Sequence, residues 1–444
     1  MYIPAALVSG KVGAVERTLR PDRAERPRIY FGYWIVAAAF VAQFMSVGTN
    51  QVSGAFLKPM SDELGWSRSD FTYALTLSRF LSAFVGFFLG VYVDRYGSRP
   101  LMLAGTTVVA ASLFFLGSIS ELWQWLVLRG IVMTVGSALI GGLVVNVTLS
   151  RWWVEKRAQM IGIASMGVSG AGAVFPPLIT VIIHHWGWRA GWHVMAVIVL
   201  CVYAAALVMK RQPEDFGLHP DGHTPEQVRD GAGVAAAADY ANSFSRREAV
   251  RTSTFYLIVL AFGLSQVGSG AMLLQTIPFL TDQDFSPNQA ALLSAVMSLF
   301  AMLCKPAWGW MAGRMEPNRV ASICFVQSAI AMVLILVAAE AHALVPLTVG
   351  FVLMGWGFGG AIPLQETIWA SYFGRRYIGA VRSAALPVAL FLGAGAPLAV
   401  SAYYDRVGNY RGIFFLIAGL WLLAAVLAIF VRQPRRPAPA LTEA

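Results

Sequence analysis

The sequence predicts an all-α membrane protein with twelve transmembrane helices in two pseudo-symmetric six-helix bundles. Three observations lead to this fold class: the composition, the number of apolar runs, and echoes between the two halves. Of the 444 residues, 57% are hydrophobic and 13% are charged, whereas a typical soluble domain has about 25% charged residues. Because so few polar residues cannot cover a soluble surface of this size, most of the chain must face lipid or other embedded helices.

Apolar runs of about 20 residues, the length that crosses the hydrocarbon core, occur twelve times. A polar, proline-containing stretch separates the sixth run from the seventh. We therefore expect a tail (1–28), a first bundle (29–211), a central linker (212–254), a second bundle (255–431) and a second tail (432–444). The runs are 32–56, 70–93, 100–119, 123–149, 158–183, 190–209, 255–281, 289–312, 319–339, 343–370, 378–402 and 411–431.

Short motifs recur in matching order in the two halves, which predicts a duplicated six-helix unit. The pairs are 90–95 with 309–314, 151–157 with 372–376, and 187–189 with 408–411.

The net charge of +10 has a one-sided distribution along the chain. Loops on one predicted side are rich in Arg and Lys, whereas the alternate loops carry mainly Asp and Glu. Positive loops face the cytoplasm, so we expect both termini to be cytoplasmic and the protein to lie in the cell (inner) membrane. Because the basic residues flank apolar runs, they indicate membrane orientation, and no nucleic-acid partner is expected. The basic side holds Arg95, Arg99, Arg151, Lys156, Arg157, Arg314, Arg319, Arg375 and Arg376.

Motifs for catalysis and cofactors do not occur in the sequence. It has no GxxxxGK[ST], HExxH or CxxC pattern, and Cys201, Cys304 and Cys324 lie singly in apolar runs. An enzyme, a cofactor and a metal site are therefore not expected.

The spacing of Gly90, Asp94, Gly97 and Arg99 resembles the loop 2–3 motif of the major facilitator superfamily. Residues 32–40, 152–167, 305–309 and 373–376 resemble the monocarboxylate transporter and oxalate/formate antiporter branch of that superfamily. The resemblance implies its fold and a secondary transporter of a small organic anion, a monocarboxylate, by alternating access. Proton coupling is left open.

The anion site that the resemblance implies is altered here. Lys305 stands where the branch usually has arginine, and Ala301 where many members have Asp or Asn one turn earlier. Lys305 is expected to bind the substrate carboxylate, and the alternative is a structural lysine paired with a buried acid. The resemblance also places Gln51 near a first-helix lysine of the branch.

Other polar residues inside the apolar runs are candidates for substrate binding or coupling, because a buried charge needs a partner, water or a function. Gln51, Asn50 and Gln275 are expected to line the substrate path, with hydrogen bonds between helices as the alternative. Arg79 is expected to form a second anion site or a gate, and its alternative is a partner to helix dipoles or carbonyls. Glu366 is expected either to exchange a proton or to pair with Lys305 or Arg382. Arg129 resembles a coupling arginine of the fourth helix, and its alternative is snorkelling to the surface.

The gate is expected on the linker side. By resemblance, Asp94 lies against the start of the eleventh helix, where the helix dipole favours an anion. Arg382 is assigned to the inner gate or to snorkelling. The gating candidates are Gly90, Asp94, Arg95, Gly97, Arg99 and Arg382.

Two other functions fit the same sequence. The first is a proton-coupled efflux pump for drug-like compounds or metabolites, centred on Glu366 and Arg129. The second is a non-transporting membrane sensor, although the roughly 40-residue linker is short for an output domain. The oligomeric state is not indicated.

Overall fold

The computed structural model describes residues 29–229, 231, 233–389 and 396–434. The predicted tail 1–28 and most of the tail 432–444 lie outside this part of the chain. Within it, ten helices are long and apolar enough to cross a membrane. They are Gly32–Leu64, Ser69–Tyr96, Ser98–Leu116, Leu122–Trp152, Arg157–Val208, Ser253–Leu273, Pro287–Ala312, Pro317–Glu340, Leu344–Phe373 and Arg411–Phe430.

The helix Arg157–Val208 contains two spans. Its 52 residues would measure about 78 Å at 1.5 Å per residue, far more than the roughly 30 Å hydrocarbon core. Gly187 interrupts it with φ 78° and ψ 167°, a conformation that glycine adopts without a steric penalty. The chain turns at this point, so 157–186 is the fifth span and 188–208 the sixth.

The eleventh span is described in two pieces, the apolar helix Ile378–Ala389 and the helix Ala396–Val407. Together with the turn at Gly187, these pieces account for all twelve predicted spans, so the predicted fold class is confirmed. Some ends of the spans differ from the predicted ones. The first span, predicted to end near residue 56, continues beyond a break at Val52 to Leu64.

The central linker, residues 212–254, forms short helical pieces that cover one face of the protein. We call this the linker face and the opposite one the far face. The basic loops around Lys156 and Arg375 contact the linker on this face, and Arg211, the residue before the linker, donates to the carbonyl of Asp94 beside Arg95. The one-sided distribution of charge along the sequence is thus reproduced in space. The pieces are Pro213–Phe216, Pro220–Gly222, Pro225–Arg229, Val234–Ala241 (the linker helix) and Arg246–Ala249.

The fifth and eighth spans pack backbone against backbone towards the linker face. A Cβ atom on Gly309 would lie 2.4 Å from the carbonyl oxygen of Ala158, and one on Gly162 would lie 2.7 Å from that of Lys305. Only glycine permits such approaches. The two halves of the chain therefore meet closely here, because small residues let helix backbones touch.

Gly309→Ala is expected to lower both thermal stability and transport. The new methyl group meets a backbone carbonyl, which cannot move aside as a flexible side chain can, and overpacking costs about 1–3 kcal/mol. Gly419→Ala in the twelfth span is the matched control, because no described atom lies within 4 Å of the added Cβ position. Melting temperatures of the purified variants test this, and equal values for both would contradict it.

Candidate functional site

Asp94 joins the second span to the start of the eleventh. Its Oδ1 accepts a hydrogen bond from the amide of Gly379 at 3.1 Å, and its Oδ2 one from the amide of Ala380 at 2.8 Å. Arg151 donates to Oδ1 at 2.6 Å. These helix-start amides have no partner within their helix, and the helix dipole favours an anion there. We call this set the gate latch: Asp94, Arg151, Gly379 and Ala380.

Glycines make the gate latch sterically feasible. A Cβ on Gly90 would lie 2.0 Å from the carbonyl oxygen of Gly379, so the second and eleventh spans touch through their backbones. Gly97 has φ 78° and turns the chain into the third span. The neighbouring Arg95 and Arg99 are exposed, and the Arg95 guanidinium lies 5.3 Å from the ring centre of Tyr96. Of the predicted gating residues, Gly90 and Asp94 form the contact, whereas Arg95 and Arg99 lie at its surface.

The central linker contributes two acids that bind arginines on the linker face and that were not among the predicted site residues. Glu214 accepts a hydrogen bond from Arg375 Nη2 at 2.6 Å, and Asp239 contacts both Arg157 and Arg375. The one sequence signal was Asp239 itself, an acid in an otherwise alanine-rich helix. Its partners could be found only from the tertiary structure.

Lys305 lies at a break in the eighth span. The helices Pro287–Leu303 and Lys305–Ala312 meet at Cys304, because Pro306 has no N–H to donate to the preceding turn. Lys305 is only 2% exposed. Within the described part of the chain, it forms neither an ion pair nor a hydrogen bond through its side chain. The alternative of a structural lysine paired with a buried acid is therefore not realised among these residues.

Glu366 pairs with Arg382 instead. The Arg382 Nε lies 3.2 Å from Glu366 Oε1, and both side chains are largely buried. Arg382 also retains a buried Nη1 that has no hydrogen-bond partner among the described atoms. The pair joins the tenth span to the eleventh near the linker face, and at this position Arg382 does not snorkel.

Glu366→Gln is expected to destabilise the protein more than the double change Glu366→Gln with Arg382→Gln. The single variant leaves a buried arginine uncompensated, which costs about 3–5 kcal/mol, whereas the double variant removes both charges. Thermal unfolding of the parent, both single variants and the double variant measures the coupling. If the single variant melts with the parent, the pair is not structural, and a titrating role for Glu366 gains support.

Arg129 is buried within the first six spans. It is 3% exposed, so the alternative of snorkelling is wrong. The side chain donates to Ser53 Oγ at 3.1 Å, Ser78 Oγ at 3.2 Å and Asn50 Oδ1 at 3.2 Å. It lies in the π-helical turn Leu126–Val132, a distortion that occurs frequently at functional sites. Its contacts are neutral oxygens, so its charge is solvated but not paired among these residues.

The remaining predicted site residues are spread along the spans. Gln51 and Arg79 are exposed, and Gln51 approaches Gly172 of the fifth span. The buried Gln275 accepts a hydrogen bond from the Tyr410 hydroxyl at 3.2 Å, which is the helix–helix contact given as its alternative. The structure therefore does not gather Arg79, Gln51 and Gln275 around Lys305.

The second and eleventh spans touch towards the linker face. Along the second span, Gly90 lies against Gly379 and Gly86 against Leu386. Two turns further on the same side of the helix, Arg79 is exposed, as are Thr76 and Ser82. We call these three residues the exposed strip; they continue the line of the contact towards the far face.

Comparisons with known proteins agree with this architecture. The Major Facilitator Superfamily profile matches residues 39–283 and 259–444. The oxalate:formate antiporter of Oxalobacter formigenes is 22% identical over 90% of this chain and 91% of its own. Monocarboxylate transporter 3 of Rattus norvegicus is 23% identical over 89% of this chain and 79% of its own.

Among solved structures, a proton:xylose symporter bound to 6-bromo-6-deoxy-D-glucose superposes with a TM-score of 0.74 at 11% identity, covering 91% of this chain and 96% of its own. These relatives are transporters rather than enzymes, which confirms the expectation that the chain is not an enzyme. The profile spans most of the chain, and the twelve-span fold agrees with it, so the chain belongs to the Major Facilitator Superfamily of membrane transporters.

Proposed function

We propose that this transporter moves a small organic anion, a monocarboxylate, by alternating access. The observation that carries the proposal is Lys305, a buried cation with no counter-ion among the described residues. Leaving such a charge unpaired is expensive, so a substrate carboxylate is a fitting partner. The names of two relatives, an oxalate:formate antiporter and a monocarboxylate transporter, support the same substrate class.

The remaining residues have proposed roles that follow their positions. Arg79 attracts the anion along the exposed strip, and Gln51 shapes the outer part of the path with Asn50, which also holds Arg129. Gln275 contributes through its contact with Tyr410. Glu366 and Arg129 are the candidates for proton coupling.

The gate latch is proposed to hold the linker face closed while the far face is open. Gly90 and Asp94 build the contact, Gly97 turns the chain beside it, and Arg95 and Arg99 border it. Arg382 holds the start of the eleventh span through Glu366. Release of these contacts would let the two bundles rock about the central site.

The proposed setting is the cell (inner) membrane with the linker face and both termini in the cytoplasm. The gathering of basic loops on the linker face supports this orientation. The proposed divisions remain the two bundles 29–211 and 255–431, with the linker 212–254 between them.

A thermal-shift screen of the purified protein tests the substrate class. Formate, lactate, oxalate and neutral xylose are each added at two pH values, and a ligand of the native state raises the melting temperature. We expect the monocarboxylates to raise it and xylose to leave it unchanged. A shift with drug-like compounds and none with any carboxylate would favour the efflux pump instead.

A further inference from the structure

The linker helix places one carboxylate between the two halves of the transporter. Asp239 Oδ1 accepts hydrogen bonds from Arg157 Nη1 at 3.3 Å and Nη2 at 3.2 Å, and Oδ2 accepts from Nη2 at 3.1 Å. Oδ2 also accepts from the backbone amide of Arg375 at 3.1 Å. Arg157 begins the fifth span and Arg375 follows the tenth, so Asp239 bridges the first bundle and the second.

All three residues are withdrawn from solvent. The Asp239 side chain is 10% exposed, and those of Arg157 and Arg375 are 3% and 6% exposed. Ion pairs at a wet surface contribute little, whereas removing one partner of a buried pair leaves an uncompensated charge. The bridge is therefore strong only while the linker face stays closed around it.

The beginning of the linker is anchored to the first bundle. Asp221 accepts hydrogen bonds from the backbone amides of Val154, Glu155 and Lys156 at 3.0, 3.0 and 3.1 Å. The Tyr30 hydroxyl donates to the carbonyl of His219 at 3.0 Å. Burial, together with the nearby Asp221 carboxylate, raises the pKa of Tyr30, so this hydroxyl keeps its proton.

The end of the linker is anchored to the second bundle. The amide of Phe244 donates to the carbonyl of Phe373 at 2.8 Å, and the amide of Arg376 donates to Ser243 Oγ at 3.1 Å. A Cβ on Gly374 would lie 2.5 Å from the carbonyl oxygen of Asp239. Asp239 is four residues from Ser243, so it belongs to this second anchor. If the bundles separate, these anchors would keep Asp239 with Arg375, and its contact with Arg157 would be the one to break.

We propose that Asp239 is a gating residue supplied by the central linker, which stabilises the state closed at the linker face by clasping Arg157 across the bundle boundary. It acts in addition to the gate latch and on different spans. The inference rests on the alternating-access function proposed above, but its test needs no substrate, so the two can fail separately.

Labelling of a buried cysteine reporter tests the proposal. Ser383 is fully buried next to Gly90, so Ser383→Cys is nearly isosteric and reacts with a water-soluble maleimide only when the linker face opens. The exposed Cys201 and Cys304, which adjoins Lys305, are replaced by Ala in every variant, and the buried Cys324 remains. Asp239→Asn, which keeps the shape of the side chain, is compared with Glu226→Gln, a change at an exposed acid of the same linker.

We expect Asp239→Asn to raise the labelling rate of the reporter several-fold and Glu226→Gln to leave it unchanged. An unchanged rate in Asp239→Asn would overturn the proposal. The same variant without the reporter cysteine shows whether the protein has loosened generally. If Cys324 of the ninth span then reacts faster as well, Asp239 is only structural, which would equally overturn the assignment as a gate.

Discussion

Replacing Lys305 with methionine is expected to lower the affinity of carboxylate uptake strongly while raising the melting temperature. Methionine fills a similar volume without a charge, so the variant loses the charge-assisted contact to the substrate. Such a contact contributes about 1.5–3 kcal/mol, which corresponds to a roughly 10–100-fold loss of affinity. The fold gains stability, because Lys305 is buried without a counter-ion among the described residues and an unpaired buried charge is costly.

Uptake into proteoliposomes and thermal unfolding of the same preparation measure the two effects. Lys58→Met is the matched control, because Lys58 is an exposed lysine on the same protein and its loss should change neither quantity. Equal carboxylate uptake by Lys305→Met and the parent would remove Lys305 from the substrate site. A lower melting temperature would indicate that Lys305 has a structural partner after all.

The second large effect is expected from Asp94→Asn, which should slow transport at least about tenfold by shifting the equilibrium away from the state closed at the linker face. The carboxylate compensates Arg151 and accepts amide hydrogen bonds at the start of the eleventh span. Removing its charge leaves Arg151 buried and unpaired in the closed state alone, at about 3–5 kcal/mol. A difference of this size between two states changes their ratio more than 100-fold.

The Ser383→Cys reporter and the initial uptake rate follow this shift together. Asp62→Asn at an exposed acid of the first span serves as the control and should behave as the parent. Faster labelling with slower uptake is the expected combination. Unaltered labelling in Asp94→Asn would show that the gate latch does not hold the linker face closed.

The Asp94 contact was predictable from the spacing of a local motif, whereas the Asp239 contact was not. The Asp94 contact could be anticipated, because Gly90, Asp94 and Gly97 form a recognisable local pattern and the resemblance named the eleventh helix as its partner. Asp239 could not, because its partners are 82 and 136 residues away along the chain. No local pattern links such positions, and the linker around it reads as polar and irregular.

The positions of the buried charges were predictable from the sequence, but their partners were not. Hydropathy located Lys305, Glu366, Arg382 and Arg129 inside the apolar runs, yet it left Glu366 with two candidate partners and Arg129 with a surface alternative. The structure pairs Glu366 with Arg382 and buries Arg129 among hydroxyl and amide oxygens. These pairings depend on which faces of the helices pack together. The rotation of each helix about its axis sets those faces, and a single sequence does not specify it.

The sequence by itself determined that this is a multi-pass membrane protein with twelve spans, and it predicted the division at the linker and the latch motif. Each of these follows either from the free energy of moving a short segment from water into lipid or from a short motif. Both depend only on residues that are close together in the chain. The tertiary structure decided that Lys305 has no partner among the described residues, that Glu366 has one, and that the linker clasps both bundles through Asp239. Those outcomes depend on distances between atoms far apart in the chain, which are set only when the helices pack.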